Sequence, residues 1–415
     1  MDKNKRLTVW LPVIIAASIA LGIFIGNHYL SISQGKKRSY SSGNKINAIL
    51  DIIDEQYVDT VSMSKLVEST IPKIFSELDP HSVYIPAEDA SVVNEELEGS
   101  FSGIGVSFNM QTDTILVISV ISGGPAEKAG LLPFDRIISI NDSIFSGKKK
   151  NQGEIMKTLR GAKNSTVKLG VQRGNSPELL YFDVTRGDVP VNSVDVSYEA
   201  AKGIGYIKVS KFARNTYNEF ITAIAKLKQA GCTSFVIDLR GNTGGYMDAA
   251  INMINEFMPE GRLIVYTEGK SFPRSDVYAN GTGTCKDAPI VVLTDEISAS
   301  ASEIFSGAIQ DNDRGTIIGR RTYGKGLVQT QMSLSDGSEM RLTIARYYTP
   351  SGRCIQKKYE MGNTDAYDQD IYNRYMHGEF DSADSIKMDD SLKYQTVGGR
   401  TAVSYTHLRA HETLA

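Results

Sequence analysis

Residues 289–329 read PIVVLTDEISASASEIFSGAIQDNDRGTIIGRRTYGKGLVQ. The run from Ile290 to Thr294 is apolar and β-branched, stops at Asp295, passes through small residues and gives way to an amphipathic stretch from Ser302 to Gln310. That pattern predicts strand, tight turn, helix. A serine in the turn would lie against the first backbone N–H groups of the helix, which have no partner within it and favour negative charge. Downstream, Lys325 sits between Gly324 and Gly326, with Gln329 four residues on. A serine nucleophile with a lysine base is the chemistry this spacing suggests.

The preceding segment predicts an α/β unit with parallel pairing. Ile204 to Val209 is strand-like, Thr216 to Gln229 an amphipathic helix, and Phe235 to Leu239 a buried strand that runs into Arg240-Gly241-Asn242-Thr243-Gly244-Gly245 and a further helix from about Tyr246. A glycine-rich turn at the carboxyl end of a strand can present N–H groups to an anion. No Lys-Ser/Thr pair follows it, so a phosphate loop is excluded. An oxyanion hole needs only one or two such donors.

Composition sets the limits. The chain has 415 residues, 41% of them hydrophobic, enough for two or three domains with their own cores. Lys+Arg 45 against Asp+Glu 48 gives a net charge of -3 and no general attraction to nucleic acid. Cys232, Cys285 and Cys354 are widely spaced; one pair could bridge in an oxidising compartment, but no zinc site or disulfide framework is indicated. Serine nucleophiles usually take histidine as base. Of five histidines, His28 adjoins an N-terminal apolar run, His407 and His411 lie in the tail, and His81 and His377 lie outside the α/β core. His81, in the turn Asp79-Pro80-His81-Ser82, reads as a capping or hydrogen-bonded loop residue. A desolvated lysine, neutral when the serine must lose its proton, fills the gap.

The N-terminus predicts export. Leu7 to Gly26 carries no charge and follows Lys3, Lys5 and Arg6, the form of an uncleaved signal anchor. Residues 27–44 read as a polar tether, and 45–96 as a helical segment with apolar residues at helical spacing. From about Leu97 the period shortens. Phe101-Ser102-Gly103-Ile104-Gly105-Val106 opens a series of strands: Thr114 to Val120, Arg136 to Ile140 and Val167 to Val171, with a helix near Gly153 to Leu159. Gly103 and Gly105 allow a nest of N–H groups that suits a peptide carboxylate, the peptide adding as a strand to a sheet edge.

Two resemblances follow from these motifs. Residues 101–187 resemble a PDZ domain, through the FSGIGV loop and the segment SGGPAEKAGLLPFDRIISIND, in which Phe134 stands where a glycine is usual. This implies binding of free peptide C-termini by Ser102, Gly103, Ile104, Gly105 and Val106. Arg160, at the end of the PDZ helix, could link bound peptide to the next domain. Residues 45–401 resemble the carboxy-terminal processing proteases, the tail-specific serine peptidases of family S41, through LDPHS, DLRGNTGG, SASASEIFSGAIQDNDR and GRRTYGKGLVQ. The resemblance implies Ser300 as nucleophile, Lys325 as general base and Gln329 as the residue that orients it. Gly244 or Gly245, together with Ala301, would form the oxyanion hole, and no metal or organic cofactor is required. Thr243 and Leu327 depart from the family pattern without removing a reacting group.

The expected fold class is a multidomain α+β and α/β chain: a crotonase-like α/β spiral protease core with an inserted PDZ domain and an N-terminal helical segment. The expected divisions are a cytoplasmic flank (1–7), anchor (8–26), linker (27–44), helical segment (45–96), PDZ domain (97–187), protease core (188–345), C-terminal extension (346–401) and a tail (402–415) resembling adapter read-through. The catalytic part is expected outside the cytoplasm, in the periplasm on a single-pass inner-membrane anchor. Protein or peptide substrates with free C-termini are the expected partners, and a homodimer is a further expectation. A membrane-tethered PDZ adaptor without proteolysis and a crotonase-like acyl-CoA enzyme are the alternatives. The adaptor would lack Ser300 and Lys325, and the acyl-CoA enzyme would have no use for a PDZ insertion.

Overall fold

The computed structural model describes residues 16–23, 42–111, 114–144, 152–382, 385 and 393–403. The chain divides into two compact units, Met1–Thr70 and Ile71–Ala415. In the first, residues 16–23 are helical, as is Ser42–Gln56. Most of the expected anchor and tether lies outside the described residues, and no described helix is long and apolar enough to cross a membrane.

The second unit holds the sheets. In the core sheet the spatial order is Val194–Ala201, Ile204–Val209, Ser234–Asp238, Ile290–Thr294 and Thr316–Gly319. The last four pair in parallel, and only the first edge pair is antiparallel. Parallel neighbours need crossovers, here the helices Thr216–Gln229, Met247–Asn255 and Ala301–Asp311. Ile204–Val209 and Ile290–Thr294 end where the sequence predicts, and Ser234–Asp238 lies one residue before the expected Phe235–Leu239. Phe257 sits centrally in the core and meets Phe220, Phe235 and Phe305 edge-on at 6.2–6.4 Å between centroids. Such contacts add about 0.5–1.5 kcal/mol each beyond their burial.

Helix Ala301–Asp311 differs from its amphipathic expectation: every residue in it is buried. Its polar face is not solvated but satisfied internally. Ser302 Oγ donates to Asn242 O at 2.9 Å, Ser306 Oγ donates to Ser302 O at 2.8 Å, and Asp311 pairs with buried Arg353. A buried ion pair of this kind persists only with its other hydrogen bonds made, as Ser351 and Gln310 make them.

Residues 106–185 form a separate six-stranded antiparallel sheet in the order Val106–Gln111, Thr114–Val120, Arg136–Ile140, Thr166–Gln172, Leu180–Thr185, with Ser143–Ile144 on Arg136–Ile140. Val106–Gln111 is an edge strand. The expected division at 187/188 cuts the strand Gly187–Pro190, which pairs with Ser100–Gly103. The division at 345/346 likewise cuts Glu339–Tyr348, the long strand of another sheet that also holds Val83–Ile85, Leu263–Glu268, Ser275–Tyr278 and Leu327–Ser333. That strand ends at Tyr348, because Pro350 and Gly352 turn the chain. Ala402, assigned to the tail, is buried and pairs with Tyr394, so this hairpin runs past the expected boundary. Cys232, Cys285 and Cys354 are all free, and none of the pairings left open is made.

Candidate active site

Ser300 is the N-cap residue of Ala301–Asp311 and has φ 56°, ψ −113°. For a residue with a Cβ this is strained backbone, of the kind that persists only where its surroundings enforce it. Gly244 (φ 103°) packs directly on it: a Cβ built there would lie 2.7 Å from Ser300 Cβ and 2.8 Å from Ala299 O. Two turns, the glycine-rich Arg240–Gly245 and the small-residue turn before Ser300, each at the carboxyl end of a parallel strand, thus close on one another. Ser298 does not cap the helix. Its Oγ donates to Leu239 O at 2.8 Å and accepts the Asp295 N–H at 3.0 Å, while Ser302 holds Asn242. Both neighbouring serines are buried in cross-turn bonds, and Ser300 alone of the three lines the cleft.

That cleft has a volume of about 1030 Å³ and is bounded by Ser300, Ala301, Gly244, Gly245, Lys325 and Gln329 among others. It brings together the residues expected from the two halves of the sequence. The backbones of Ser300 and Lys325 are held by the same two side chains. Glu303, one turn into the helix, accepts the N–H of Ser300 and of Lys325, both at 2.8 Å, with Gly324 N–H and Thr322 Oγ1 at 2.7 Å. The Tyr347 hydroxyl donates to Ser300 O at 3.1 Å and contacts Lys325 O. Burial pushes the Glu303 carboxyl up to about 7 against the pull of its four donors, and drives the Tyr347 phenol far above its usual value. Neither residue stood out in the sequence. The Glu at the third helical position is a capping-box signal and could have been read as one.

Burial lowers the pKa of Lys325, and the Arg341 guanidinium across the cleft lowers it further. The Gly244 N–H donates to Asn242 Oδ1 at 2.8 Å and its carbonyl accepts from Phe212, which leaves Gly245 as the donor the turn can offer the cleft. Gly245 cannot carry a side chain, since a Cβ would lie 2.1 Å from Phe212 O.

Gln329 donates through Nε2 to the backbone carbonyl of His81. His81 therefore reaches the site after all, brought in by long-range packing of the turn at residues 79–82. It is no base: Nε2 is within 2.8 Å of Tyr367 Oη, and burial, then the nearby Lys325 charge, holds the imidazole down to about 4. His377 Nδ1 bonds Asn373 O at a helix end. The C-terminal residues are part of the same assembly. Lys357 N–H donates to Gly324 O, Gly326 N–H to Gln356 Oε1, and Arg374 to the carbonyls of Arg321 and Thr322.

At the peptide-binding candidates, Ile104 O accepts from Ala126 N at 2.7 Å and Gly105 O from Ile121 N at 3.0 Å. Each trans peptide points its N–H opposite its carbonyl, so the Gly105 and Val106 N–H groups turn the other way. Ser102 and Gly103 pair with Asp188 and Gly187 in their own two-stranded ribbon. Arg160 is no freely solvated helix end. It pairs with Glu95 at 3.0 Å, lies 4.4 Å from the centroid of the Phe101 ring, and lines the cleft that holds Ser300.

The family model described as "Peptidase family S41" matches residues 203–365, and that described as "PDZ domain" matches residues 102–195. These matches set the class: a serine peptidase with a PDZ domain. The carboxy-terminal processing protease CtpB of Bacillus subtilis (strain 168) is 35% identical over 318 residues, 76% of this chain and 66% of that protein. A probable CtpA-like serine protease of Staphylococcus aureus (strain N315) is 33% identical over 365 residues, 86% of this chain and 72% of that protein. Among solved structures, the photosystem II D1 C-terminal processing protease is similar at 28% identity and a TM-score of 0.43, over 76% of this chain and 91% of that one. The chain belongs to the carboxy-terminal processing proteases of peptidase family S41.

Proposed function

We propose that this chain is a serine endopeptidase that uses a Ser300–Lys325 dyad to cleave proteins outside the cytoplasm, recognised by their C-termini. The observation that carries the reading is the shared clamp: Glu303 and Tyr347 each bind the backbone of both Ser300 and Lys325 at one cleft. Ser300 Oγ attacks the scissile carbonyl carbon while neutral Lys325 Nζ takes its proton. The oxyanion lies against the N–H groups of Ala301 and Gly245, where the helix N-terminus adds its positive end. Lys325 then gives the proton to the leaving amine as the C–N bond breaks, and water, deprotonated by Lys325, hydrolyses the acyl-enzyme. Gln329 orients Lys325.

Substrate enters in this reading as a strand added to Val106–Gln111, its carboxylate against the Gly105 and Val106 N–H groups. The apolar, basic-flanked N-terminus supports a membrane anchor with the peptidase on the far side. The run of parallel strand–helix units supports a crotonase-like core.

Incubating the protein with an unstructured substrate such as casein tests the reading. Ser300→Ala and Lys325→Ala should each lower kcat by about a thousandfold or more. Near wild-type cleavage by Lys325→Ala would remove the lysine from the mechanism. Binding of C-terminal peptides without any cleavage by the wild-type protein would favour the adaptor.

A further inference from the structure

The turn at residues 79–82 packs on the strand pair that carries Gln329. Asp79 Oδ1 accepts the N–H groups of His81 and Ser82 at 3.0 and 3.1 Å, and the hydroxyl of Thr343 at 2.9 Å. Ser82 Oγ donates to Asp79 Oδ2 and accepts the Thr343 N–H at 3.0 Å. Thr343 is the cross-strand partner of Gln329, next to a register shift between Val328 and Gln329. The turn is thus fixed to the cross-strand partner of Gln329, beside the irregularity that skips Ile344.

An amide side chain presents either oxygen or nitrogen depending on one rotation, and only its partners choose. Here the His81 carbonyl, an obligate acceptor, takes Gln329 Nε2. The choice directs the amide oxygen away from His81. A carbonyl oxygen can accept an N–H from Lys325 and so aim its lone pair at the serine hydroxyl, whereas a flipped amide would compete for that lone pair. The imidazole holds the carbonyl in place through the 2.8 Å contact with Tyr367 Oη, and Tyr367 accepts from Gln356 Nε2 at 3.3 Å. Gln356 Oε1 in turn takes the N–H of Gly326, the residue after the base. The circuit runs from Gly326 through Gln356, Tyr367 and His81 back to Gln329. Because His81 stays neutral down to about 4, its ring can accept the Tyr367 hydroxyl throughout the pH range in which a lysine base works.

We propose that His81, held by Tyr367, is a positioning residue for the general base: its backbone carbonyl fixes the Gln329 amide so that the amide oxygen faces Lys325. The inference rests on the reading of Gln329 as the residue that orients Lys325.

A double-mutant cycle on the full chain, read as kcat and KM on casein, tests it. His81→Ala should lower kcat about tenfold and Tyr367→Phe about threefold, with KM changed less than twofold, since misplacing a catalytic group costs rate more than binding. In a Gln329→Ala background both substitutions should become silent, within twofold. If His81→Ala does not fold, as thermal melting would show, Tyr367→Phe completes the cycle alone. Losses that persist in full when Gln329 is already absent and Gln329→Ala is itself impaired would overturn this inference alone. Wild-type kcat in Gln329→Ala would overturn the orienting role of Gln329 and this inference with it.

Discussion

In the proposed mechanism Lys325 works as a base only when neutral, so its environment would set the lower pH limit of activity. Burial opposes its charge, and Arg341 repels it. Both effects move its pKa below the ordinary lysine value, so kcat should rise with pH through that lowered pKa. Arg341→Gln removes the repulsion and leaves the burial. Its acidic limb in the profile of kcat against pH should move to higher pH, with a severalfold loss at neutral pH and recovery in alkaline buffer. An unshifted limb would show that Arg341 does not act on the base. At this scale the sequence was legible where chemistry is scarce: the lack of a core histidine points to Lys325 without any coordinates. It was less legible where geometry decides. Phe134 reads as a conservative replacement of glycine, yet it has φ 70° with its side chain exposed, and the departure costs backbone strain. Glu303 reads as one polar residue of an amphipathic helix and turns out to be the acceptor that joins the backbones of Ser300 and Lys325.

Among the elements, strands and helices with clear period were legible almost to the residue, because apolar spacing directly reports which face is buried. The contacts between turns were not. The meeting of Arg240–Gly245 with the Ser300 turn depends on the pairing of Ser234–Asp238 with Ile290–Thr294, and the seating of residues 79–82 depends on strands more than 240 residues later. Local pattern carries no record of either. The consequence is testable at Gly244, where φ is 103° and a Cβ would stand 2.7 Å from Ser300 Cβ. Gly244→Ala must shift the turn that packs on Ser300. It should lower kcat by about a hundredfold and cost about 2 kcal/mol or more in a denaturant titration, since strain and a backbone clash add. Wild-type kcat with unchanged stability would mean that the two turns can separate freely and that the strain at Ser300 is not imposed by their contact.

Across the molecule, two of the seams expected from the sequence cut through strands. Glu339–Tyr348 runs through the expected end of the protease core, and residues 356–374 hold the loop that carries Lys325. A proposed link between the PDZ sheet and the cleft is of the same kind: Arg160, which lines the cleft, bonds Glu95 and lies over the ring of Phe101, just before the loop proposed to bind a peptide carboxylate. If peptide binding at Gly105 and Val106 displaces Phe101, it must disturb this pair. Both partners are partly exposed, at 29% and 20% of their side chains, so the pair is worth about 1 kcal/mol or less and can transmit at most about a fivefold change in rate. Arg160→Glu should therefore reduce, by up to about fivefold, the stimulation of casein cleavage by an added peptide with a free C-terminus. The double variant Arg160→Glu with Glu95→Arg should restore part of it by rebuilding the pair in reverse. Stimulation equal to wild type in the single variant would sever Arg160 from the coupling. Loss without any restoration by the swap would assign the coupling to the Phe101 stack instead, because only arginine at residue 160 offers that ring a planar cation.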